Sequence, residues 1–381
     1  MQTWKPKEVF VHASVRGDQT TGTIIRRCGN VPVTYVESGL PEEIVRKSKV
    51  LTSASGFLDK VKAGKQVLYV APAGSAVDEF RITDDRMMCP HFPRLKLSSN
   101  GCYFACEWCY LKLTYRVAHP FITVRVQYEK IKEELEKKLR MTTQGVMFNA
   151  GELGDSLALD HLTGAAEAMI PWFGTTVNGY LFMLTKSDNV DHILTLPHNG
   201  HTALAWSMNA PEVSTRYEVG APPFERRLEA ARKAQTAGYP VRVRLDPIVP
   251  VGEWKGMYAR TVRNIFRTIT PERVTLGTLR FEPAFYRMRT TMFSSASDIG
   301  TYVDDMTPMF SPAPGTKKVG KYSYTKEARA EIFSYVVREI RKYSACPVAL
   351  CKEEAEVWSS VGLDLSACAC ACQLHAPDMS P

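Results

Sequence analysis

The sequence has no uninterrupted apolar run near the ~20 residues that a membrane-spanning helix needs. Residues 1–6 contain neither an apolar core nor a small-residue cleavage site, so no secretion signal is expected. The sequence also has no internal repeat and no strong charge imbalance. Its 48 basic and 40 acidic residues give a net charge of +8, which permits nucleic-acid contact without requiring it. We therefore expect a cytoplasmic protein with no membrane partner.

Ten cysteines without an export signal are typical of a reducing compartment, where thiols are metal ligands more often than disulfide partners. Three of them, Cys102, Cys106 and Cys109, have C-x3-C-x2-C spacing directly after a predicted strand at 95–98. Three thiolates this close in sequence converge on one soft metal centre only if the loop wraps around it. Gly101 supplies the backbone freedom for such a turn.

The spacing favours an iron–sulfur cluster over two alternatives. A zinc knuckle usually has paired ligands that close a tetrahedron, and no fourth ligand is obvious nearby. A disulfide does not suit cysteines with this unpaired spacing. A [4Fe-4S] cluster on three cysteines leaves one iron open, and this spacing is typical of the radical S-adenosylmethionine (SAM) enzymes, in which SAM binds that iron. We predict Cys102, Cys106 and Cys109 as metal ligands, with [4Fe-4S] and SAM as cofactors.

Strand and helix patterns alternate after residue 95. The expected strands are 95–98, 146–150, 180–185, 203–208, 241–249 and 274–281, and the expected helices are 128–139, 161–172, 190–196, 224–237 and 257–269. This alternation implies parallel pairing with right-handed crossovers, and it fits an α/β fold with a partial, six-stranded TIM-like barrel. We predict an N-terminal α/β region at 1–90, the barrel at 91–325, and a C-terminal helix with a cysteine-rich tail at 326–381.

Polar side chains follow several of these strands, at the edge where parallel barrels carry their chemistry. Ala150-Gly151-Glu152 ends the second strand, and its carboxylate is suited to an ammonium group. The other polar groups at strand ends are Lys186, Ser207, Asn209, Arg244 and Asp246. One such residue is usually structural, but agreement at four strand ends is better explained by a ligand with ribose, adenine and carboxylate groups. We therefore predict that this set binds SAM.

The sequence from about 95 to 324 resembles the spore photoproduct lyase branch of the radical SAM superfamily. The residues that carry the resemblance are, in chain order, the cysteine loop at 102–111, Asp-His-Leu-Thr at 160–163, Thr-Lys at 185–186, Asn-Val-Asp-His at 189–192, Ser207 and Asn209, 226–231, Ala-Gly-Tyr-Pro at 237–240, Asp-Pro-Ile at 246–248, 254–258, and Gly-Lys-Tyr at 320–322. The resemblance implies that Lys186, Ser207 and Asn209 line the SAM pocket. It also implies reduced flavodoxin or ferredoxin as the electron donor.

Three departures from that branch bear on the substrate. Glu152 occupies the position where the repair lyases carry a hydrogen-donor cysteine. Trp108 replaces the tyrosine that serves them in radical return, although Tyr110 is kept and is our catalytic candidate in the loop. Residues 311–318 lack the Arg, Tyr and Trp of their DNA-wedging hairpin, which leaves little to stack on a lesion base. Nucleic acid is therefore a permitted but not a favoured partner.

The C-terminal tail concentrates cysteine. Cys368, Cys370 and Cys372 lie on one face if the chain is extended, and Cys351 heads a turn-and-helix segment that can fold back to join them. Such thiolates favour a soft ion: zinc, a second iron–sulfur cluster or trivalent arsenic. The alternative is a disordered tail of biased composition. The tail resembles only in kind the cysteine motif with which a radical SAM enzyme of arsinothricin biosynthesis holds arsenite, because it lacks adjacent cysteines.

The preferred hypothesis is a radical SAM transferase or lyase acting on a small or thiol-held substrate near Cys370 and Cys372, to which we assign catalytic roles. The resemblance to the arsenite enzyme implies transfer of the aminocarboxypropyl group of SAM to arsenic. Two alternatives stay open. One is a DNA photoproduct lyase, and the other is a non-enzymatic zinc-binding protein associated with nucleic acid.

Overall fold

The structure is a computed structural model that describes residues 4–81, 87–89, 91–116, 119–293, 299–309, 320–364 and 370–374. Cys368 and the loop at 311–318, which both carry predictions, lie outside the described residues. Among the helices that the structure describes, none combines the length and the apolar character needed to cross a membrane.

The strands of the described residues are short, and most of them are parallel to their neighbours. In chain order they are β1 (Glu8–His12), β2 (Val33–Val36), β3 (Val67–Ala71), β4 (Val77–Phe80), β5 (Met87–Met88), β6 (Phe92–Leu95), β7 (Ser98–Ser99), β8 (Ile122–Arg125), β9 (Val146–Asn149), β10 (Gly179–Thr185), β11 (Thr202–Met208), β12 (Val241–Ile248), β13 (Val274–Thr278), β14 (Arg280–Phe281), β15 (Thr307–Pro308), β16 (Tyr322–Ser323), β17 (Val348–Leu350) and β18 (Glu353–Glu354).

The α-helices in the same ranges are α1 (Gln19–Cys28), α2 (Pro41–Lys47), α3 (Lys49–Thr52), α4 (Phe57–Gly64), α5 (Tyr128–Leu139), α6 (Asp160–Thr163), α7 (Ala165–Phe173), α8 (Pro211–Tyr217), α9 (Phe224–Thr236), α10 (Trp254–Thr268), α11 (Pro283–Arg287), α12 (Arg289–Met292), α13 (Ile299–Asp304), α14 (Lys326–Arg341) and α15 (Ala355–Val361). Two 3-10 segments, Ala13–Val15 and Tyr110–Arg116, complete the helical structure of the described chain.

The chain divides into two compact units. The first comprises residues 1–80, 93–104 and 111–203, and the second comprises 81–92, 105–110 and 204–381. These units do not follow the borders predicted at residues 90 and 325. The physical reason in the first unit is that β8, which lies beyond residue 90, pairs in parallel with β3 of the N-terminal region, with Leu68 opposite Ile122.

The first unit contains a five-stranded sheet in the order β2-β1-β3-β8-β7, parallel except for β7. Strand β3 is buried along its whole length, because both faces of the sheet are covered. One face packs Val9, Val11 and Leu68 against Ile24 and Leu162 of the helices. The same unit holds β9 and β10, which pair in parallel.

The second unit contains the parallel strands β11, β12, β13 and β17. All seven residues of β11 are buried, as expected for a central strand of a parallel sheet. Strand β17 was not predicted, since its three residues are too few to give a recognisable pattern. Strands β5 and β18 pair antiparallel, which brings Met88 opposite Glu353.

The predicted α/β class is confirmed, and four of the six predicted strands, 146–150, 180–185, 203–208 and 241–249, are present within one residue of their expected bounds. The bounds predicted at 95–98 are wrong, since β6 ends at Leu95 and β7 begins at Ser98, and the strand predicted at 274–281 is divided into β13 and β14. The helix predicted at 190–196 is wrong. Hydrogen bonds there close short turns, such as Ile193 N to Val190 O at 2.9 Å and Leu196 N to Ile193 O at 3.1 Å. The helix predicted at 161–172 is divided into α6 and α7 at Gly164, whose φ of 62° a helix interior does not adopt.

Candidate functional site

The loop that carries the three motif cysteines begins in the first unit with a tight turn. The left-handed residue there is Asn100 (φ 52°), whose side-chain amide donates to the carbonyl of His119 at 2.6 Å. Gly101 is needed for a different reason from the one predicted. A Cβ at this position would overlap the side chain of Ser98, and the Gly101 amide donates to Leu153 O at 3.2 Å. Glycine thus lets the loop lie directly against the segment after β9.

The rest of the loop belongs to the second unit and is held there by its backbone. The Ala105 amide donates to Val219 O at 2.7 Å, and the Glu107 amide donates to Tyr217 O at 2.9 Å. These two bonds fix the backbone on either side of Cys106.

The loop side chains differ in exposure. Cys106 is buried, Cys109 is half-buried, and Tyr110 is 47% exposed at the start of its 3-10 segment. Trp108 packs against Tyr217 with ring centroids 5.9 Å apart. Trp108 therefore has a packing role within the second unit, and the catalytic role of Tyr110 stays a prediction.

The donor chemistry of the loop suits an iron–sulfur cluster. The nine described cysteines are all outside disulfides, including the three of the motif. Thiolate sulfur is the ligand that such clusters take. Within the described ranges, no three Cys, His, Asp or Glu side chains meet in a ready-made metal site. The cluster assignment therefore rests on ligand type and spacing in one loop.

Asp155, which the sequence analysis missed, connects three parts of the first unit. One carboxylate oxygen accepts the Leu157 amide at 3.0 Å and the Thr185 hydroxyl at 2.6 Å. The other accepts the Lys186 amide at 2.6 Å. The Asp155 amide itself donates to Gly101 O at 3.0 Å. A carboxylate with several amide and hydroxyl donors fixes the ends of β9 and β10 beside the start of the cysteine loop.

Glu152 and Lys186, both predicted to bind SAM, are half-buried residues that follow β9 and β10 in this unit. Between them in sequence lies Ser156, whose hydroxyl oxygen is buried and has no hydrogen-bond partner among the described residues. A buried polar group without a partner is costly and is a position where a ligand is expected to bond. This part of the unit is therefore suited to a polar cofactor.

Ser207 and Asn209, at the end of β11 in the second unit, are both buried. The Asn209 side chain donates to Pro247 O at 2.9 Å and accepts the Tyr258 hydroxyl at 2.6 Å. Asn209 therefore links the ends of β11 and β12, which is a structural role. Its predicted role in the SAM pocket is untested by these contacts.

Arg244 and Asp246, at the end of β12, form a compact ionic group with Arg280. Arg244 Nη2 donates to an Asp246 oxygen at 3.0 Å, and Arg280 Nη2 lies 3.1 Å from the same oxygen. Burial tends to raise the pKa of Asp246, but the charges of Arg280 and Arg244 outweigh it and hold the pKa at about 2. The other terminal nitrogen of Arg280, Nη1, is buried without a partner in the described part of the chain. That donor is available to an anionic ligand.

Arg244 also leads to a second group of thiols in the same unit. Its Nη2 donates to Cys351 Sγ at 2.6 Å. The Cys372 thiol donates to Cys370 Sγ at 3.3 Å, and both of these cysteines are buried. The β5–β18 pairing brings Cys89 to the same region, where burial and the charges of Cys351 and Cys370 raise its pKa. We call Cys89, Cys351, Cys370 and Cys372 the second thiol group.

The Cys370–Cys372 contact favours the thiolate form of Cys370 over that of Cys372. The hydrogen bond from the Cys372 thiol lowers the pKa of Cys370 to about 5, and the charge of Arg244 adds to this effect against the opposing effect of burial. The same hydrogen bond and burial raise the pKa of Cys372. A lowered pKa favours the thiolate, which is the nucleophilic and metal-binding form of cysteine.

The end of the described tail is docked on the second unit, so the alternative of a disordered tail is wrong for residues 370–374. Arg242 donates to the carbonyls of Ala371 and Gln373, each at 2.6 Å, and to that of Leu374 at 3.0 Å. The Ala371 amide donates to Thr275 Oγ1 at 2.8 Å. No sequence signal marked Arg242 as the anchor, since it is one of two arginines on β12.

Comparison with known proteins agrees with the resemblance. Residues 95–344 match the spore photoproduct lyase family. The chain is 33% identical over 185 residues to a spore photoproduct lyase of Geobacillus sp. (strain Y412MC61), covering 48% of this chain and 53% of that protein. It is 34% identical over 161 residues to the one of Bacillus subtilis (strain 168), covering 42% and 47%. The chain thus spans about half the length of these two curated relatives.

A solved structure of a spore photoproduct lyase, complexed with dinucleoside spore photoproduct, has a TM-score of 0.76 to this chain at 22% identity. The likeness covers 92% of this chain and 99% of that one. A variant of that enzyme, with bound AdoMet and dinucleoside spore photoproduct, gives the same score and coverage. At this identity the likeness establishes a shared fold, and it supports the predicted radical SAM α/β architecture.

Proposed function

The chain belongs to the spore photoproduct lyase family, and from that premise we propose that it is a radical SAM enzyme. The observation that carries the proposal is the C-x3-C-x2-C loop at 102–109, which lies inside the segment that matches the family. The family name denotes a lyase, which agrees with the proposal that the chain is an enzyme. The activity of this particular chain is our inference.

Cys102, Cys106 and Cys109 would hold the [4Fe-4S] cluster, with SAM on the open iron. When bound, the cluster supplies the electron that breaks a carbon–sulfur bond of SAM. Reduced flavodoxin or ferredoxin is the proposed electron donor. The chain's own contribution is to fix the loop, through Gly101 against Leu153 O and through Ala105 and Glu107 in the second unit. A fixed loop presents the thiolates without further ordering cost.

We further propose SAM-binding roles for the polar residues at the strand ends of each unit, described separately. In the first unit the carboxylate of Glu152 is suited to the amine of SAM, and the Ser156 hydroxyl and Lys186 to its other polar groups. In the second unit the proposed residues are Ser207, Asn209, Arg244 and Asp246. The buried Nη1 of Arg280, which has no partner among the described residues, is suited to a carboxylate, because guanidinium groups bind carboxylates with strong, oriented hydrogen bonds.

For the substrate, a DNA pyrimidine photoproduct is the first candidate. It is supported by the names of the relatives and by the bound dinucleoside in the solved structures. This reverses the preference drawn from the sequence alone. Glu152 in place of the donor cysteine is the main feature against it, because a repair reaction on this chain needs its hydrogen atom from another group.

A thiol-held substrate is the second candidate, favoured by the second thiol group. Its Cys370–Cys372 pair offers a thiolate beside a thiol, and Cys351 lies against Arg244. Soft trivalent arsenic or a soft metal ion matches such donors. Under this proposal methylthioadenosine would leave SAM, and the aminocarboxypropyl group would bond to arsenite held by Cys351, Cys370 and Cys372, with Cys368, which lies outside the described residues, as a further ligand. The new carbon–arsenic bond would use the lone pair of arsenic, which becomes pentavalent, so the electron that cleaved SAM would return to the cluster.

Anaerobic reconstitution with iron and sulfide, followed by mass spectrometry of SAM products, tests the function. We expect 5′-deoxyadenosine when a dinucleoside thymine photoproduct is supplied, and conversion of that photoproduct to two thymidines. Methylthioadenosine formed only with arsenite would favour the second candidate. The matched variants are Cys106→Ser and Cys346→Ser, the latter lying outside the motif. Intact SAM in the wild type, together with zinc but no iron in the protein, would refute the enzyme proposal.

A further inference from the structure

A buried lysine of the N-terminal region reaches the cysteine loop within the first unit. Lys65 follows the last residue of α4, and only 8% of it is exposed. Its ammonium donates to the carbonyl of Cys102 at 3.1 Å and also to that of Phe104. It lies 5.8 Å from the centre of the Tyr115 ring. One side chain thus holds two carbonyls of the loop that starts with the first motif cysteine.

The end of α4 gives this ammonium a fixed origin. Gly64 is packed so closely that a Cβ there would overlap the carbonyl oxygen of Pro120 and the ring of Tyr115. The Lys65 amide also completes a helical bond to Val61 O at 3.1 Å. Since the backbone is fixed at this point, the position of the ammonium is set by the N-terminal region and not by the loop.

The electrostatic balance of Lys65 points to a missing negative charge. Its three contacts in the described chain are two carbonyls and an aromatic ring, which carry partial charges only. Burying an ammonium group is costly unless an anion lies nearby. A [4Fe-4S] cluster with three thiolate ligands is negatively charged, and reduction adds one more negative charge. The Cys102 end of the loop is where that charge would be.

We propose that Lys65 is a positioning residue for the cluster, with two separable effects. Its hydrogen bonds order the backbone at 102–104, and its positive charge raises the reduction potential of the cluster, because potentials of such clusters follow nearby charge and hydrogen bonding. The second effect rests on the proposed function, since it requires a bound cluster. The first effect holds for the protein without a cluster. This gives residues 1–90 a role in the chemistry that the sequence did not reveal.

Three variants separate the two effects. Lys65→Met removes both the charge and the donors, Lys65→Gln removes the charge but keeps a donor, and Lys65→Arg keeps both. Lys62→Met is the matched control, because Lys62 is an exposed residue of the same helix. The measurements are amide hydrogen exchange of the loop in the cluster-free protein, iron content after reconstitution, and the midpoint potential from an EPR-monitored redox titration.

For loop ordering we expect exchange at 103–106 to be at least several-fold faster in Lys65→Met than in the wild type, and close to wild type in Lys65→Arg and Lys62→Met. For the potential, we expect the equilibrium constant for one-electron reduction of the cluster to fall about tenfold in both Lys65→Met and Lys65→Gln. This corresponds to a midpoint potential about 59 mV lower for a one-electron couple. Lys65→Arg, which keeps the charge, should have a midpoint potential close to that of the wild type.

Unchanged exchange in Lys65→Met would overturn the positioning role, and an unchanged potential in Lys65→Gln would overturn the electrostatic role. If the wild type takes up no cluster, the proposed function and the electrostatic role both fail, while the exchange measurement still decides the positioning role. If Lys65→Met does not fold, Lys65→Ala takes its place in the exchange measurement, and the comparison of Lys65→Gln with Lys65→Arg still decides the electrostatic effect.

Discussion

The cysteine loop and the second thiol group both concentrate sulfur, but the chain builds them in opposite ways. The loop places three cysteines within eight residues and fixes them through backbone hydrogen bonds, which leaves the sulfur chemistry to the side chains. The second group gathers Cys89, Cys351, Cys370 and Cys372 from distant parts of the second unit and surrounds them with arginine. The first arrangement is the one that we propose for the cluster, and in the second Cys351 and Cys370 accept hydrogen bonds from Arg244 and Cys372.

Because of this difference, the cysteine loop could be predicted from the sequence, whereas the second thiol group could not. A local motif can be recognised because chain spacing alone limits the geometry. The second thiol group depends on β17, on the pairing of β5 with β18, and on Arg242 as an anchor, all of which are set by tertiary contacts. Cys89, which no sequence motif connects to the tail cysteines, is the clearest example of what spacing cannot reveal.

The largest expected effect concerns the cysteine loop. Cys106→Ala should abolish iron uptake and all SAM cleavage, because three thiolates are the minimum for a cluster with one open iron. Cys370→Ser and Cys372→Ser should leave iron content and cluster spectra unchanged. Iron content and SAM products are measured side by side in the three variants. Loss of iron in Cys370→Ser would mean that the two thiol groups are not independent. Turnover unchanged in both tail variants would remove the tail from the mechanism.

The next effect concerns the anchor of the tail. Arg242→Met should destabilise the protein by about 2–4 kcal/mol, because the carbonyls of Ala371, Gln373 and Leu374 lose their donor, while Glu272 keeps its contact with Arg273. Urea denaturation measures the cost, and a thiol reagent should modify Cys370 and Cys372 faster in the variant. Arg232→Met, which removes an exposed pair with Glu229, is the control and should cost no more than about 1 kcal/mol. Equal losses in the two variants would contradict a docked tail.

A smaller effect follows from the ionic group beside the second thiols. The pKa of Asp246 is lowered from its ordinary value of 3.8 to about 2, so its ionised form stabilises the fold. That contribution, about 2 kcal/mol, is fully present above pH 3.8 and is lost as the pH falls towards 2. Urea unfolding at several pH values between 5 and 2 should therefore show a steeper loss of stability in the wild type than in Asp246→Asn. Parallel curves would argue against the Arg244–Asp246–Arg280 contacts.

The smallest effect sharpens the contrast between individual cysteines. Because the pKa of Cys370 is lowered to about 5, its thiolate should form between about pH 4 and 6. Cys346, whose pKa is raised by burial, should form its thiolate only above pH 9. The ultraviolet absorbance of thiolate, taken as a difference between the wild type and Cys370→Ser or Cys346→Ser, follows each one without a reagent. A midpoint near 9 for Cys370 would refute the lowered pKa of this thiol.

Sequence periodicity predicted four of the six strands to within one residue, because their apolar runs are continuous and the segments between them are regular. The helix predicted at 190–196 does not form. In this segment the His192 side chain instead bonds to the carboxylate of Asp160 at 2.6 Å. The strand ends marked Glu152 and Lys186 as candidates for the proposed SAM site, but the sequence did not mark Asp155, Ser156 or Lys65. These residues act through the groups they touch after folding, and single polar residues at such positions have no distinguishing pattern in a sequence.

The most direct test of the account is SAM cleavage by the anaerobically reconstituted protein, with Cys106→Ala and Cys346→Ser as paired variants. We predict reductive cleavage of SAM by the wild type and by Cys346→Ser, and none by Cys106→Ala. A wild-type protein that carries a complete iron–sulfur cluster yet leaves SAM intact would contradict the account, as would full cleavage by Cys106→Ala.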